Sequence, residues 1–388
     1  MDVLDLARTQ FAVTGGLHFL FVVLTLGMAP LVALMHTRWA MTGRPHHEAM
    51  TRFWGQIYVI NYALGIVTGL VMEFQFGLAW SGLSHYAGDV FGAPLAMETL
   101  LAFFLESTFL GLWIFGWGRL PRWLHLACIW LVTLTAYASA FFIMLANSFL
   151  QNPAGSVARD GRLELVDFGA LLTNKALVFS FPHVVAAGLF TGGMVLVGAS
   201  AYMLRRRTEQ VEFFTRSMRL GVVTAAIGVT FTMGFGYAQF AGVQDGKWDN
   251  TGAALALALM MEVGQLLGLV VLLVMLPLIR FLPRWRWAHP LLVAMTPLPF
   301  LLSIAGWVAR EVGRQPWMVW GKLTVADAMT PGLTAGMVTA SLAGFAGVLG
   351  LLAVVDYVLI ARAIRRGPRE PDLGAGVPGE TRTPALSL

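Results

Sequence analysis

The chain has 388 residues, of which 57% are hydrophobic and 12% charged, and its mean hydropathy is +0.71. That composition excludes a soluble globular domain, and a net charge of +5 carried on short connections reads as cytoplasmic loop bias with no nucleic-acid footprint. The single cysteine, Cys128, excludes an intrachain disulfide, a thiolate cluster and a C-x-x-C-H attachment site.

The opening residues, Met1-Asp-Val-Leu-Asp-Leu-Ala-Arg8, lack the basic start of a signal peptide. No small-residue cleavage site follows the first apolar run, so that run is read as a retained span. Nine apolar spans long enough to cross a bilayer, roughly 20 residues each or more, are predicted at 11–35, 54–76, 94–117, 123–147, 176–203, 218–242, 253–279, 288–309 and 331–361. The fold class is an all-α polytopic membrane bundle, one domain over residues 1–366. A Pro-, Gly- and Thr-rich tail, 367–388, is expected to be disordered. The connections after spans one, three, five and seven, with the tail, hold 18 of the 26 Lys and Arg, counting Arg219 at the edge of span six. The positive-inside rule therefore puts the N-terminus outside and the C-terminus in the cytoplasm. No internal repeat supports a two-half transporter architecture.

Ionisable residues at membrane depth are costly, so each is a candidate for function. His18, His183 and Met260 each lie about seven residues into spans one, five and seven, all running inward. At about 1.5 Å per residue the three sit roughly 10 Å below one outer edge. Glu311 approaches that edge from the other side, in the charged run Gly306-Trp-Val-Ala-Arg-Glu-Val-Gly-Arg-Gln-Pro-Trp317 at the end of span eight. Imidazole, thioether and carboxylate at one depth form a ligand set suited to haem iron. Taken singly, each also has a packing or helix-pairing reading, and the Trp and Arg of the run also suit interface anchoring. In span three, Glu98 and Glu106 are about 12 Å apart along the axis. With Ser107, Thr108 and Glu73 of span two they make a ladder able to carry protons, or else two structural carboxylates. Pro45-His46-His47-Glu48 is read as a solvated stretch of the first cytoplasmic loop.

Several runs together resemble subunit I of the cytochrome bd family of quinol-oxidising terminal oxidases. They are Leu17-His-Phe-Leu-Phe21 with Leu24-Thr-Leu-Gly-Met28, Gly69-Leu-Val-Met-Glu-Phe-Gln-Phe-Gly77, Phe91-Gly-Ala-Pro-Leu-Ala-Met-Glu98, Phe103-Phe-Leu-Glu-Ser-Thr-Phe109, Ala146-Asn-Ser-Phe-Leu-Gln-Asn-Pro153 and Gly306–Trp317. The likeness covers spans one to five and eight to nine and is poor between about 205 and 290. It implies that His18 and Glu311 are axial ligands of two high-spin haems. One would be a haem b and the other a dioxygen-reducing chlorin, haem d, or haem b in its place; which ligand serves which stays open. His183 and Met260 would bind a low-spin haem b that takes electrons from quinol. Glu98 and Glu106 would serve the haem pair and the proton route, Trp307 would lie between haems, and Arg314 would neutralise a propionate or Glu311. The implied partners are subunit II, a small single-span subunit, quinol, dioxygen and lipid, in the inner (plasma) membrane of a bacterium.

Two departures from the family pattern stand out. A long outer loop between spans six and seven is reduced to ten residues, Ala241–Asn250. Gln244 and Lys247 keep the spacing of the loop's quinol-binding Gln and Lys, but its downstream Glu falls near Gly252. Around the ligand methionine, Ala258 stands where the family has Arg, Glu262 where it has no acid, and Met261 is the alternative ligand. The expected function is the haem-bearing subunit of a bd-type oxidase, reducing dioxygen with quinol electrons and building a proton gradient. The alternatives are a bd-like oxygen reductase with another donor and a non-enzymatic haem-binding membrane protein.

Overall fold

A computed structural model of the chain describes residues 2–242, 246–369 and 373–374. The long helices are α1 (Val3–Thr42), α2 (Pro45–Ala79), α3 (Ser81–Met97), α4 (Phe104–Phe115) and α5 (Arg122–Gln151). After a short α6 (Phe168–Leu172) follow α7 (Lys175–Arg205), α8 (Val211–Ala238), α9 (Thr251–Leu269), α10 (His289–Met295), α11 (Leu298–Val312) and α12 (Ala335–Arg366). A π-helical stretch, Glu98–Phe103, joins α3 to α4, and another, Val270–Met275, extends α9. Among the described residues nine helices are long and apolar enough to cross a membrane, in agreement with the nine spans read from sequence.

The helices outrun the predicted spans because capping groups, not hydropathy, set their ends. The Asp2 carboxylate accepts from the Asp5 amide at 2.7 Å to start α1, and Gly43, at φ 64°, closes it in the left-handed conformation. His46, His47 and Glu48 are not on a loop. They form the first turn of α2, because Pro45 supplies a preset φ at its first position. Glu48 there pairs with Arg52 at 2.9 Å, and among the described residues no group of three His, Cys, Asp or Glu could hold a metal ion.

Two antiparallel hairpins add to the helical bundle. Strands β1 (Ser156–Arg159) and β2 (Arg162–Leu165) pair Ser156 with Leu165. Their turn residues, Asp160 and Gly161, have φ of 45° and 75°, as a two-residue hairpin requires. Strands β3 (Trp317–Val319) and β4 (Leu323–Thr324) pair Trp317 with Thr324, and the Trp320 amide is tied to the Leu150 carbonyl at the end of α5.

Helix α1 is the axis of the bundle, packed against α2, α5, α7, α11 and α12. Its approach to α7 depends on missing side chains: a Cβ at Gly27 would overlap the backbone of Gly188 and Gly192, a small-residue seam suited to membrane helices. Buried apolar residues fall into two layers. One gathers the start of α1 with α3, the end of α5 and the β3–β4 hairpin; the other runs from Leu24 of α1 through the opposite halves of α2, α5, α7 and α8. The polar candidates of α1, α7, α9 and α11 sit between the layers. Most of the 367–388 tail lies outside the described residues, as do Gln244 and Asp245; Leu373 is buried against Gly55 of α2.

Candidate functional site

Two cavities, of about 350 Å³ and 300 Å³, occupy the level between the apolar layers. The first is lined by His18, Glu98, Glu106, Glu311, Arg314 and Trp307. The second is lined by His183, Met260, Met261, Lys247, Arg310 and Trp307. The residues expected at a single depth are therefore divided between two neighbouring chambers. Four side chains, Phe19, Ile143, Asn147 and Trp307, face both. Trp307 is wedged against Phe11 and Phe19, with ring centroids 6.1 and 6.4 Å away. It fits there because residue 15 is glycine: a Cβ at Gly15 would lie 2.6 Å from the indole.

The two histidines are held in the same tautomer by different means. The Thr68 hydroxyl lies 2.8 Å from His18 Nδ1 and 2.7 Å from the Gly65 carbonyl, so it can donate to the carbonyl while accepting from the ring. His183 Nδ1 lies 2.8 Å from the Thr232 carbonyl, which can only accept. Both rings thus keep the Nε2 lone pair free, as a histidine metal ligand needs. On the other side of the second cavity Met260 packs its sulfur on Gly306, where a Cβ would come within 2.5 Å. Met261 lines the same chamber, so both registers of the methionine remain available.

Asn147 of α5 joins the chambers electrostatically. Its amide nitrogen donates to Glu311 Oε1 at 3.0 Å, and its oxygen accepts from Arg310 Nε at 2.5 Å. The second Glu311 oxygen pairs with Arg314 at 2.5 Å. Arg314 thereby faces the first chamber and Arg310 the second. Arg314 is 4% exposed, yet its Nε and Nη1 have no hydrogen-bond partner. Buried donors of this kind call for an anion inside the cavity.

The carboxylate ladder is present with altered rungs. Glu98 accepts from Ser139 of α5 at 2.6 Å, and Thr99 donates to Glu73 at 2.9 Å. Glu106 is buried with Oε1 unpaired, beside the buried and unpaired hydroxyls of Ser107 and Tyr62. Thr108, expected in the ladder, lies on the outer face and bonds back to the Phe104 carbonyl. In a regular helix eight residues would turn Glu98 about 80° away from Glu106 at 3.6 residues per turn. The wider π turn between them reduces that offset, so both reach one cavity.

Lys247, in the short connection between α8 and α9, is 7% exposed. Its ammonium donates to Gln151 at 2.8 Å and lies over the Trp248 ring. Burial first, then the Arg310 and Arg314 charges, push it down to about 7, with Glu311 opposing. Gln244 lies outside the described residues.

Sequence reasoning missed the residues that orient these groups: Thr68, Thr232, Ser139, Asn147 and Gln151. Asn147 and Gln151 left a readable trace, two amides one turn apart on an otherwise apolar span. Thr68 left none, since threonines commonly bond within their own helix, and Thr232 left none because it acts through its backbone carbonyl, which any residue would supply.

The donor set fits haem: two imidazoles with free Nε2 atoms, a thioether, a carboxylate with satisfied neighbours, and unpaired buried guanidinium donors suited to propionates. Fold and site together define a polytopic membrane protein of haem-iron chemistry. The model of the family "Cytochrome bd terminal oxidase subunit I" matches residues 6–247 and 250–368, and the chain belongs to that family. Its match breaks at 248–249, within the shortened connection. Cytochrome bd ubiquinol oxidase subunit 1 of Bacillus subtilis is 35% identical over 446 aligned positions, covering 95% of this chain and 94% of the relative. That alignment is longer than the chain itself, so the relative carries segments that this chain lacks. Cytochrome bd-II ubiquinol oxidase subunit 1 of Escherichia coli is 48% identical over 238 residues, 61% of this chain and 46% of the relative. In fold, the chain is similar to the bd oxidase structure from Geobacillus thermodenitrificans, with a TM-score of 0.86 at 24% identity over 94% of this chain and 99% of the other.

Proposed function

We propose that this chain is the haem-bearing subunit of a bacterial quinol:dioxygen oxidoreductase, working in the plasma membrane with a subunit II. The observation that carries the reading is the pair of adjoining chambers. One has an imidazole, a carboxylate and a carboxylate ladder; the other has an imidazole and methionines; Trp307 stands between them.

In this reading His183 and Met260 hold a low-spin haem b, and His18 and Glu311 hold two high-spin haems, a haem b and a haem d or second haem b. Bound there, the haems supply the electron transfer and dioxygen reduction that no side chain of this chain supplies. Arg314 and Arg310 neutralise propionates, and Asn147 fixes Glu311 and Arg310 in one geometry. Glu98, Glu106, Ser107 and Ser139 carry protons inward from the cytoplasmic side to the first chamber. Quinol releases its protons outside, beside Lys247 and Gln244, so the two half-reactions charge the membrane. The Lys and Arg distribution supports the orientation this requires, N-terminus outside.

One observation favours a second reading, an oxygen reductase with another donor: the α8–α9 connection, residues 239–250, is twelve residues long and holds no glutamate. The test is a reduced-minus-oxidised spectrum of the purified complex with and without carbon monoxide, followed by quinol-driven oxygen uptake. A haem signal shifted by carbon monoxide, with uptake that falls in Lys247→Ala, is expected. A single low-spin haem with no shift would refute the oxidase reading. Haems with a normal shift but no quinol-driven uptake would select the second reading. Glu311→Ala should lose one high-spin signal, and its full retention would refute that ligand.

A further inference from the structure

Helix α9, with the π-helical stretch that extends it, turns a continuous seam outward. Leu255, Leu259, Glu262, Leu266, Leu269 and Leu273 are spaced alternately four and three residues apart. All six are exposed, the leucines between 49% and 70%. A four-three repeat of leucines is the pattern of a helix that pairs with another helix along a narrow stripe. Any helix packed on one side turns residues outward at that period, so it is the polar residue within the stripe that marks a partner.

Glu262 is the anomaly in the seam. It is the twelfth residue of the 25-residue span Thr251–Met275, hence close to the bilayer midplane, where the hydrocarbon is about 30 Å thick. It lines neither chamber. No described residue bonds or pairs with it, whereas Glu311 at the first chamber is held by Asn147 and Arg314, and Lys247 at the second by Gln151. A carboxylate facing lipid tails at that depth is expensive and is normally paired. A single polar residue in a heptad seam fixes register and chooses the partner.

We propose that this face of α9 docks a membrane-spanning helix of another polypeptide, one carrying Lys or Arg midway along the span opposite Glu262. Charge argues against a second copy. Two copies related by an axis along the membrane normal would set Glu262 against Glu262 at one depth, without a counter-charge. The narrowness of the stripe argues for one docked helix. The inference does not depend on the redox reading, only on α9 spanning the membrane.

The experiment uses the complex purified from its own membrane in mild detergent. Single variants Leu259→Cys and Leu266→Cys are cross-linked in the membrane, with Val354→Cys on α12 as the control face, and adducts are mapped by mass spectrometry. Adducts to a helix bearing Lys or Arg at the Glu262 level are expected from the first two positions alone. Recovery of that polypeptide per chain should fall about ten-fold or more in Glu262→Lys, as for loss of a buried charge pair. It should return when the partner's basic residue is changed to Glu. Glu262→Leu, which inserts more readily, should also lose the partner while keeping the haem spectrum, which separates lost docking from lost folding. Adducts only to lipid or to a second copy, or undiminished recovery in Glu262→Lys, would overturn the proposal.

Discussion

Gly15→Ala tests whether Trp307 really divides the two chambers. The new Cβ would lie 2.6 Å from Cζ2 and 2.7 Å from Cη2 of the indole. Carbon atoms rest at about 3.5–4.0 Å, so the ring must move by roughly 1 Å. It has little room, since Phe11 and Phe19 flank it. Overpacking of this kind costs about 1–3 kcal/mol, set against a helix-propensity gain of about 1 kcal/mol for replacing glycine by alanine. The neighbouring Gly16 is an internal control, because a Cβ there meets its nearest atom, on Ile304, at 3.8 Å. Gly16→Ala should therefore leave stability unchanged or raise it by up to about 1 kcal/mol. Gly15→Ala should be less stable than Gly16→Ala by about 1–3 kcal/mol in an SDS unfolding titration. It should also disturb the spectra of both sites at once, since one indole faces both. If the two alanine variants unfold alike with identical spectra, Trp307 is not a tightly held divider and the argument fails.

Three further outcomes follow from the same geometry. Asn147→Leu leaves Glu311 Oε1 and Arg310 Nε without their shared partner and should cost about 2–3 kcal/mol, read by the same titration; an unchanged midpoint would remove Asn147 from its bridging role. Thr68→Val releases His18 Nδ1 and should weaken haem retention about 10–100-fold, seen as a lower haem-to-protein ratio after purification, whereas Thr68→Ser should hold it. Lys247 is a base pushed down to about 7, so its charge is present below that pH and lost as pH rises through it. The apparent KM for quinol should accordingly climb between about pH 6 and 8, while Lys247→Arg, charged throughout, should stay flat; equal profiles would exclude Lys247 from donor binding.

Which parts of this were legible in the sequence depends on how each is encoded. Spans are encoded by composition over some twenty residues, and they survive local error, which is why all nine were recovered. Helix ends are encoded by single caps, so the first turn of α2 reads as a loop from its polar residues although Pro45 marks it. The ligand candidates were legible because imidazoles and carboxylates are scarce at membrane depth. Their division into two chambers was not, since it depends on Trp307 entering a gap left by Gly15, a contact between α1 and α11 with no local signature. Equally hidden was the π turn that brings Glu98 and Glu106 to one cavity; only backbone geometry reports it.

The charged run at 306–317 shows how one short segment serves both chambers. Within α11, Gly306 and Trp307 face opposite tasks: the glycine yields space to the Met260 sulfur, and the indole closes the wall beside it. One turn later Arg310 turns to the second chamber, while Glu311 and then Arg314 turn to the first. Successive residues on a helix point about 100° apart at 3.6 residues per turn, so adjacent positions are well suited to supply neighbouring sites. Glu311, Glu73, Glu98 and Glu106 all line the first chamber, and Arg314 pairs with the first of them. Removing Arg314 alone would leave Glu311 its Asn147 bond but no directly paired cation, whereas removing Asn147 would leave the charge pair and lose the link between chambers. The two losses are therefore separable, and a chain in which both variants fail in the same way would have one site here, not two.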